Sequence, residues 1–239
     1  MKLTTLTYNL LYNKAAMHVE SVLKEQDPDI IFFQEILTDE QSLERIQRLG
    51  YRLADFSNSF VRGTRIFGVA TFYKPTVVSL TNSHIFSLPS SLYQFLTYIV
   101  KNKKYPRTVL KNEFVIKETG QKITTYNIHL TPVATNGLRM KQIYSTFSDL
   151  DLQSKEAVLI AGDFNYPYGR KRFESMIADY GLDEATSNVY FTHERRILGL
   201  FSIRLKLDYI LFKNMKLSSN QKIELKHSDH YPILSKFEV

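Results

Sequence analysis

The sequence predicts an α/β fold in which two packed β-sheets are covered by helices, and three observations carry that prediction. Strand-like and helix-like segments alternate along the whole chain, and antiparallel hairpin signals are mixed with helical crossovers. No internal repeat, low-complexity tract or Pro/Gly/Ser-rich linker divides the 239 residues. One domain spanning residues 1–239 is therefore expected.

The elements follow in order. Residues 3–10 alternate as a strand does, residues 14–26 form an amphipathic helix, and Asp29-Ile30-Ile31-Phe32-Phe33 is a buried strand entering Gln34-Glu35. A second helix is expected over residues 39–49. Strands follow around 66–73, 76–85, 108–117 and 123–130, with Glu118-Thr119-Gly120-Gln121 as the turn that makes the last two a hairpin. Residues 136–152 read as a helix, 157–161 as a buried strand, 171–180 as a helix stopped by Gly181, and 206–212 and 232–239 as closing strands.

Composition sets outer limits. Hydrophobic residues make up 44% and charged residues 23%, which is ordinary globular usage and excludes a long disordered or fibrous segment. The chain has no Cys, so disulfides, thiolate nucleophiles and Cys-ligated metals are excluded. Any metal must take oxygen or imidazole ligands, which favours Mg²⁺ or Mn²⁺. The first residues lack the apolar core of a signal peptide, and a cytoplasmic location is expected. A net charge of +7 and a pI near 9.3 favour anionic partners such as nucleic acid or acidic lipid headgroups.

Polar residues recur immediately after apolar strands, at Tyr8-Asn9, Gln34-Glu35, Asn127-Ile128-His129-Leu130 and Gly162-Asp163-Phe164-Asn165, and again at Leu207-Asp208-Tyr209 and Ser228-Asp229-His230. Each alone has a plain structural explanation. Asn9 suits a turn, Glu35 a solvated position, His129 a partly buried histidine, and the Gly-Asp-Phe-Asn stretch an Asx-type turn. The set is what phosphoester hydrolysis requires: a hard cation to polarise an oxygen, a carboxylate to align or deprotonate water, and donors for developing charge. Glu35 offers an oxygen ligand, Asp163 a base and His230 a cationic donor.

In the order and spacing of Thr7-Tyr8-Asn9-Leu10, Pro28-Asp29-Ile30-Ile31-Phe32-Phe33-Gln34-Glu35, Asn127-Ile128-His129-Leu130, Ile160-Ala161-Gly162-Asp163-Phe164-Asn165, Leu207-Asp208-Tyr209-Ile210 and Ser228-Asp229-His230-Tyr231-Pro232, the chain resembles the endonuclease/exonuclease/phosphatase superfamily over residues 3–237. The resemblance implies a four-layer αββα sandwich of two mixed sheets flanked by helices. It implies Mg²⁺ or Mn²⁺ on Glu35, with help from Asn9 and Asp229. It further implies that Asp163 activates water and Asn165 fixes the phosphate or that water. Asp208 would hold the transition-state-stabilising His230, and His129 would bond the phosphate or assist the leaving group.

The family spans nucleases, tyrosyl-DNA phosphodiesterases, sphingomyelinases and inositol-phosphate phosphatases, so the substrate must come from the loops. Asn127-Ile128-His129-Leu130 resembles the deoxyribonuclease, sphingomyelinase and tyrosyl-DNA phosphodiesterase branches rather than the abasic-site branch. Basic residues gather at Arg62 and Arg65, at Lys101 to Arg107, at Arg139 and Lys141, at Arg170, Lys171 and Arg172, and at Arg195 and Arg196. Arg107, Arg170, Lys171 and Arg172 are the expected substrate contacts of a monomer that cuts nucleic acid. Residues 88–100 carry Leu92, Phe95, Leu96 and Ile99 at helical spacing before Lys101-Asn102-Lys103-Lys104. Such a segment suits membrane contact through residues 88–104 and keeps open a lipid or inositol-phosphate substrate. Tyr166, Tyr168 and the stretch Tyr190-Phe191-Thr192-His193 offer stacking surfaces for bases.

Overall fold

A computed structural model describes residues 1–90, 107–197 and 201–239 and contains two six-stranded sheets. The first sheet is built from β1 (Lys2–Asn9), β2 (Ile30–Leu37), β3 (Arg52–Arg62), β4 (Arg65–Tyr73), β13 (Lys216–Lys222) and β14 (Ile233–Glu238) in the order β13-β14-β1-β2-β4-β3. The second is built from β5 (Val78–Ser87), β6 (Thr108–Ile116), β7 (Lys122–His129), β8 (Ala157–Asp163), β9 (Asp183–Glu184) and β12 (Asp208–Lys213) in the order β5-β6-β7-β8-β12-β9. A separate hairpin pairs β10 (His193–Ile197) with β11 (Phe201–Leu205).

Each sheet has one parallel pair, β1 with β2 and β7 with β8, and each pair is connected through a helix, α1 (Ala16–Gln26) and α3 (Asn136–Phe147). Parallel neighbours need such a crossover, whereas the remaining pairs are antiparallel. Helices α2 (Glu40–Gln47) and α4 (Arg170–Asp179) complete the outer layers. Asp39 caps α2 by accepting from the Ser42 N–H at 2.8 Å, and Thr135 caps α3 through the Leu138 N–H.

Side-chain alternation sorts the core into three apolar clusters. Leu6, Tyr8, Ile31 and Phe33 meet Val19, Leu23 and Leu43 outside the first sheet. Leu3, Phe32, Phe114, Leu159, Ile210 and Phe237 fill the space between the sheets. Ile128, Ile160 and Leu211 meet Ile143, Phe147 and Phe173 outside the second. The architecture is the expected four-layer αββα sandwich.

Several elements differ from the sequence reading. Strand β3 was not expected, because bulges after Leu53 and Asn58 break its period of two. Strand β13 is a polar edge strand and β9 is two residues long, so neither carries an apolar signal. Helix α3 stops at Phe147 rather than continuing to 152: the Asp149 and Leu150 N–H groups tighten onto the Thr146 and Phe147 carbonyls, and Asp151 then forms an Asx turn with the Gln153 N–H. Leu88 is buried in the core against α3, and residues 91–106, which hold most of the expected membrane-contact segment, lie outside the described residues. Among the described residues no helix is long and apolar enough to cross a membrane.

Candidate active site

The expected residues fall on the faces of the sheets that look at each other, at one end of the sandwich. Asn9 shares its face with Thr5 and Thr7, His129 with Thr125 and Asn127, Asp163 with Leu159 and Ala161, and Asp208 with Ile210. These are the C-terminal ends of β1, β7 and β8 and the N-terminal end of β12, which runs antiparallel to β8 with Asp208 opposite Asp163. One layer deeper, Gln34 Nε2 donates to Asn127 Oδ1 at 2.9 Å, and Asn127 Nδ2 donates to the Ala70 carbonyl at 3.0 Å. Those two residues therefore tie the sheets together behind the site rather than facing solvent.

Glu35 reaches the same end by a different route. Ile31, Phe33 and Ile36 all face the outer helices, so strict alternation would have carried Glu35 outward with Ile31 and Phe33. A bulge between Gln34 and Ile36 in the pairing with β4, with Glu35 at φ +54°, turns its carboxylate to the site. Leu11, Tyr12 and Asn13 follow with φ of +47°, +53° and +62°. Non-glycine residues in this region cost roughly 1–3 kcal/mol each. Their amides offset that cost: Leu11 donates to Asn9 Oδ1 at 3.0 Å, Tyr12 to Glu35 Oε2 at 3.0 Å and Asn13 to the Glu35 carbonyl at 2.9 Å.

Asp163 is the hub. Its Oδ1 accepts the Asn165 N–H at 2.9 Å, and its Oδ2 accepts Asn9 Nδ2 at 2.9 Å. His129 Nε2 and His230 Nε2 stand 3.5 and 3.8 Å from the same Oδ2. Burial drives this carboxyl well above its ordinary value, against the charge of His230, while Asp208 adds to the rise. Gly162 before it is obligatory, because a Cβ there would lie 2.0 Å from the Ile128 carbonyl oxygen. Asn165, at φ +47°, donates its side-chain amide to the Leu130 carbonyl at 3.2 Å.

The two histidines are held in opposite charge states. Arg107 Nη1 lies 2.9 Å from His129 Nδ1, and a guanidinium has only donors, so Nδ1 accepts and the neutral ring carries its proton on Nε2. That Nε2 is buried without a hydrogen-bond partner, and it also stands 3.8 Å from Glu35 Oε1. Burial, then Arg107 and His230, hold its pKa far below the ordinary histidine value. Burial also opposes charge on His230, but Asp208 and Asp163 outweigh it and lift its pKa to about 10. Asp208 Oδ2 accepts from His230 Nδ1 at 2.8 Å, which fixes an imidazolium with Nε2 facing Asp163.

Asp229 completes the carboxylate group. Ser228 Oγ donates to the Asn9 carbonyl at 2.8 Å and anchors this loop to β1. His193 Nε2 stands 3.4 Å from Asp229 Oδ2, and His193 bridges His230 through the backbone. In the sequence His193 stands out only as part of the stretch Tyr190-Phe191-Thr192-His193. It reaches the site because the start of β10 pairs with residues 229–231, the Glu194 N–H donating to the Asp229 carbonyl and the Tyr231 N–H to the Thr192 carbonyl, a long-range pairing with no local sequence signal.

Glu35, Asp163, Asp208 and Asp229 thus converge, with His230 and Arg107 as counter-charges. Burial raises Glu35 as well as Asp163, although the Tyr12 N–H and His230 work against it. A hard divalent cation would relieve this crowding, and Glu35, Asn9 and Asp229 supply the oxygen donors such an ion prefers. Among the described residues the acidic and histidine groupings whose ligand atoms lie within 4.8 Å of one another are His193 with Asp229 and His230, and Asp163 with Asp208 and His230; Asp229 of the expected ligand set belongs to the first and Glu35 to neither.

The expected basic rim is uneven. Arg107 sits at the site on His129. Arg170 is paired with Glu184 and, at 2.6 Å, with Glu174, while Lys171 and Arg172 are exposed on the first turn of α4. Arg139 is buried, donating to the Thr131 carbonyl at 3.1 Å and to Asn136 Oδ1 at 3.0 Å, so it is a structural cation rather than part of a rim. Tyr166 likewise belongs to the core against Phe173, whereas Tyr168 and Tyr190 are exposed.

Carboxylates, asparagines and histidines are thus gathered at one strand-end of the sandwich, the residue types that phosphoester hydrolysis calls on. The model of the Endonuclease/Exonuclease/phosphatase family matches residues 6–230, and the chain belongs to that family, whose members are hydrolases acting on phosphate esters. No curated protein sequence matches it significantly. Among solved structures it is similar to an endonuclease/exonuclease/phosphatase family protein from Bacteroides thetaiotaomicron, with a TM-score of 0.78 at 14% identity over 99% of this chain and 97% of that one. The human Nocturnin catalytic domain with bound sulfate gives 0.78 at 17% identity, over 99% and 94% of the two chains. TDP2 from D. rerio, complexed with a single-strand DNA product, gives 0.72 at 15% identity, over 100% and 99%. At these identities the likeness is one of fold.

Proposed function

We propose that the protein is a phosphodiesterase that cuts nucleic acid by in-line attack of water, with Mg²⁺ or Mn²⁺ as its cofactor. The observation that carries this reading is the convergence on Asp163 Oδ2 of Asn9 Nδ2, His129 Nε2 and His230 Nε2, the last held by Asp208. A carboxyl raised by burial accepts a proton from water more readily than an exposed one, and Asn9 and the Asn165 N–H hold it in one orientation. The buried, unpartnered Nε2–H of His129 is a preformed donor for a phosphate oxygen. The imidazolium of His230 meets the charge that grows on the phosphoryl oxygens, and Asp208 keeps it charged and aimed. A cation held by Glu35, Asn9 and Asp229 supplies further polarisation of the phosphate when bound. The net charge of +7 supports a polyanionic substrate.

The test is a Mg²⁺/Mn²⁺ activity screen over single- and double-stranded DNA, RNA, abasic and 5′-tyrosyl DNA, sphingomyelin and inositol phosphates. Asp163→Asn and His230→Ala should each lower the rate by about 10²–10⁴-fold, and a chelator should abolish turnover. Wild type and Asp163→Asn equally active on every substrate would overturn the mechanism. Sphingomyelin cleaved in preference to every nucleic acid would overturn the substrate class.

A further inference from the structure

Beside the catalytic group, on the side of the first sheet, aromatic rings and guanidinium groups interleave. Tyr12 packs edge-on against Phe60 and Phe67, with ring centroids 5.8 and 5.9 Å away, and Phe60 stacks on Phe67 at 5.4 Å. Arg62 lies over the Tyr12 ring at 4.1 Å, and Arg107 lies over the Phe60 ring at 5.2 Å. The group borders the reaction centre at two points. The Tyr12 N–H is bonded to Glu35 Oε2, and the Phe60 ring stands 6.4 Å from that of His129.

Two features set this group apart from ordinary core packing. Tyr12 and Phe60 are only half-buried, and Arg62 is exposed. Arg62 has no carboxylate partner among the described residues, so its charge is held over an aromatic face with nothing to neutralise it. Tyr12, moreover, stands in the middle of three consecutive left-handed residues, whose amides are bonded to Asn9 and Glu35. Strained backbone persists only where the surrounding structure holds it, and it clusters at active sites and ligand clamps.

We propose that Tyr12, Phe60, Arg62 and Arg107 form a subsite for a nucleobase and the phosphate attached to its nucleoside, adjoining the scissile phosphate. Nucleobases stack on aromatic rings and on guanidinium planes alike, so a base lying on the exposed Arg62 continues the stack that Tyr12 begins. The same guanidinium groups meet the phosphate as charge-assisted donors. A choline headgroup is disfavoured, since both aromatic faces already carry cations that would repel a third. Inositol has no flat face to stack. The inference rests on the phosphodiesterase reading and specifies what the site holds next to the bond it breaks.

The experiment is titration calorimetry of the full chain with Mg²⁺, using thymidine 5′-monophosphate, 2-deoxyribose 5-phosphate and phosphocholine. Thymidine 5′-monophosphate should bind about tenfold more tightly than the base-free sugar phosphate, the lower range for stacking one base. Tyr12→Leu and Arg62→Met should each reduce that advantage to about threefold or less. Tyr12→Phe, which keeps the ring, should retain it and shows that the loop still folds. Equal binding of the nucleotide and the sugar phosphate to wild type would overturn the subsite while leaving the phosphodiesterase reading standing. Binding of none of the three would overturn both. Phosphocholine bound most tightly and weakened by Tyr12→Leu would assign the rings to a cationic headgroup and overturn the inference.

Discussion

Arg107 Nη1 lies 2.9 Å from His129 Nδ1, and this contact decides which nitrogen of a buried histidine carries the proton. With Nδ1 accepting, Nε2–H points between Asp163 and Glu35. Replacement of Arg107 by Met keeps much of the side-chain bulk but removes the donor. We expect a loss of about 10²-fold in turnover. In ¹⁵N spectra the His129 ring should change from a single Nε2–H tautomer to a mixture. A wild-type ring protonated on Nδ1 would contradict the assignment.

His230 depends on Asp208 in the same way that a catalytic imidazole depends on its orienting carboxylate. Its pKa of about 10 means that it is charged throughout the neutral range and loses that charge only as pH rises through that value. Asp208→Asn removes the leading charge that sustains the imidazolium. The rate at neutral pH should fall by about 10²–10⁴-fold. The alkaline limb of the pH–rate profile should also move to lower pH, because the proton on His230 is then released earlier. An unmoved alkaline limb in the variant would show that His230 is not the group whose charge matters.

Much of this cluster is legible in the sequence. Asn9, Asp163, Asp208 and His129 could be placed because each follows or opens an apolar strand, and the parity of those strands predicts a shared face. Glu35 was legible as a strand-end carboxylate, but its place in the cluster depends on a bulge that no periodicity announces. The partnership of Arg107 with His129 was not within reach: the β6–β7 register sets Val109 opposite Ile128 and so puts residue 108, not 107, opposite residue 129, and Arg107 meets the histidine from just before the start of β6. His193 was not within reach, because the β10–β11 excursion returns it to the site through tertiary packing. Strand β3 was hidden by its two bulges, and with it the positions of Phe60 and Arg62.

The buried amide pair between the sheets gives a prediction about stability. Gln34 Nε2 donates to Asn127 Oδ1 at 2.9 Å, and both residues are fully buried. Gln34→Leu keeps a similar shape but leaves that oxygen without its side-chain donor, which costs roughly 1–3 kcal/mol. The midpoint of urea unfolding should fall accordingly, with an unchanged dependence on urea concentration. A variant as stable as wild type would mean that the pair contributes nothing to joining the sheets.

Glu184 supplies the pH dependence of folding at the far edge of the second sheet. It is paired with Arg170, with Lys206 at 2.7 Å and with Thr186 Oγ1 at 2.7 Å. Burial works to raise its pKa, but the bonds from Arg170 and Lys206 win, and the folded value lies below the ordinary 4.5. A carboxyl lowered on folding stabilises the protein above its unfolded pKa, and that contribution disappears as pH falls through the folded value. Glu184→Gln should therefore be less stable than wild type at pH 7, by roughly 1.5–3 kcal/mol if its charged hydrogen bonds are of ordinary strength. The gap between the two proteins should narrow as the pH is taken below 4.5. Thermal unfolding of both from pH 7 downward measures this directly, and a gap that stays constant with pH would show that the carboxylate charge is not what Arg170 and Lys206 are holding.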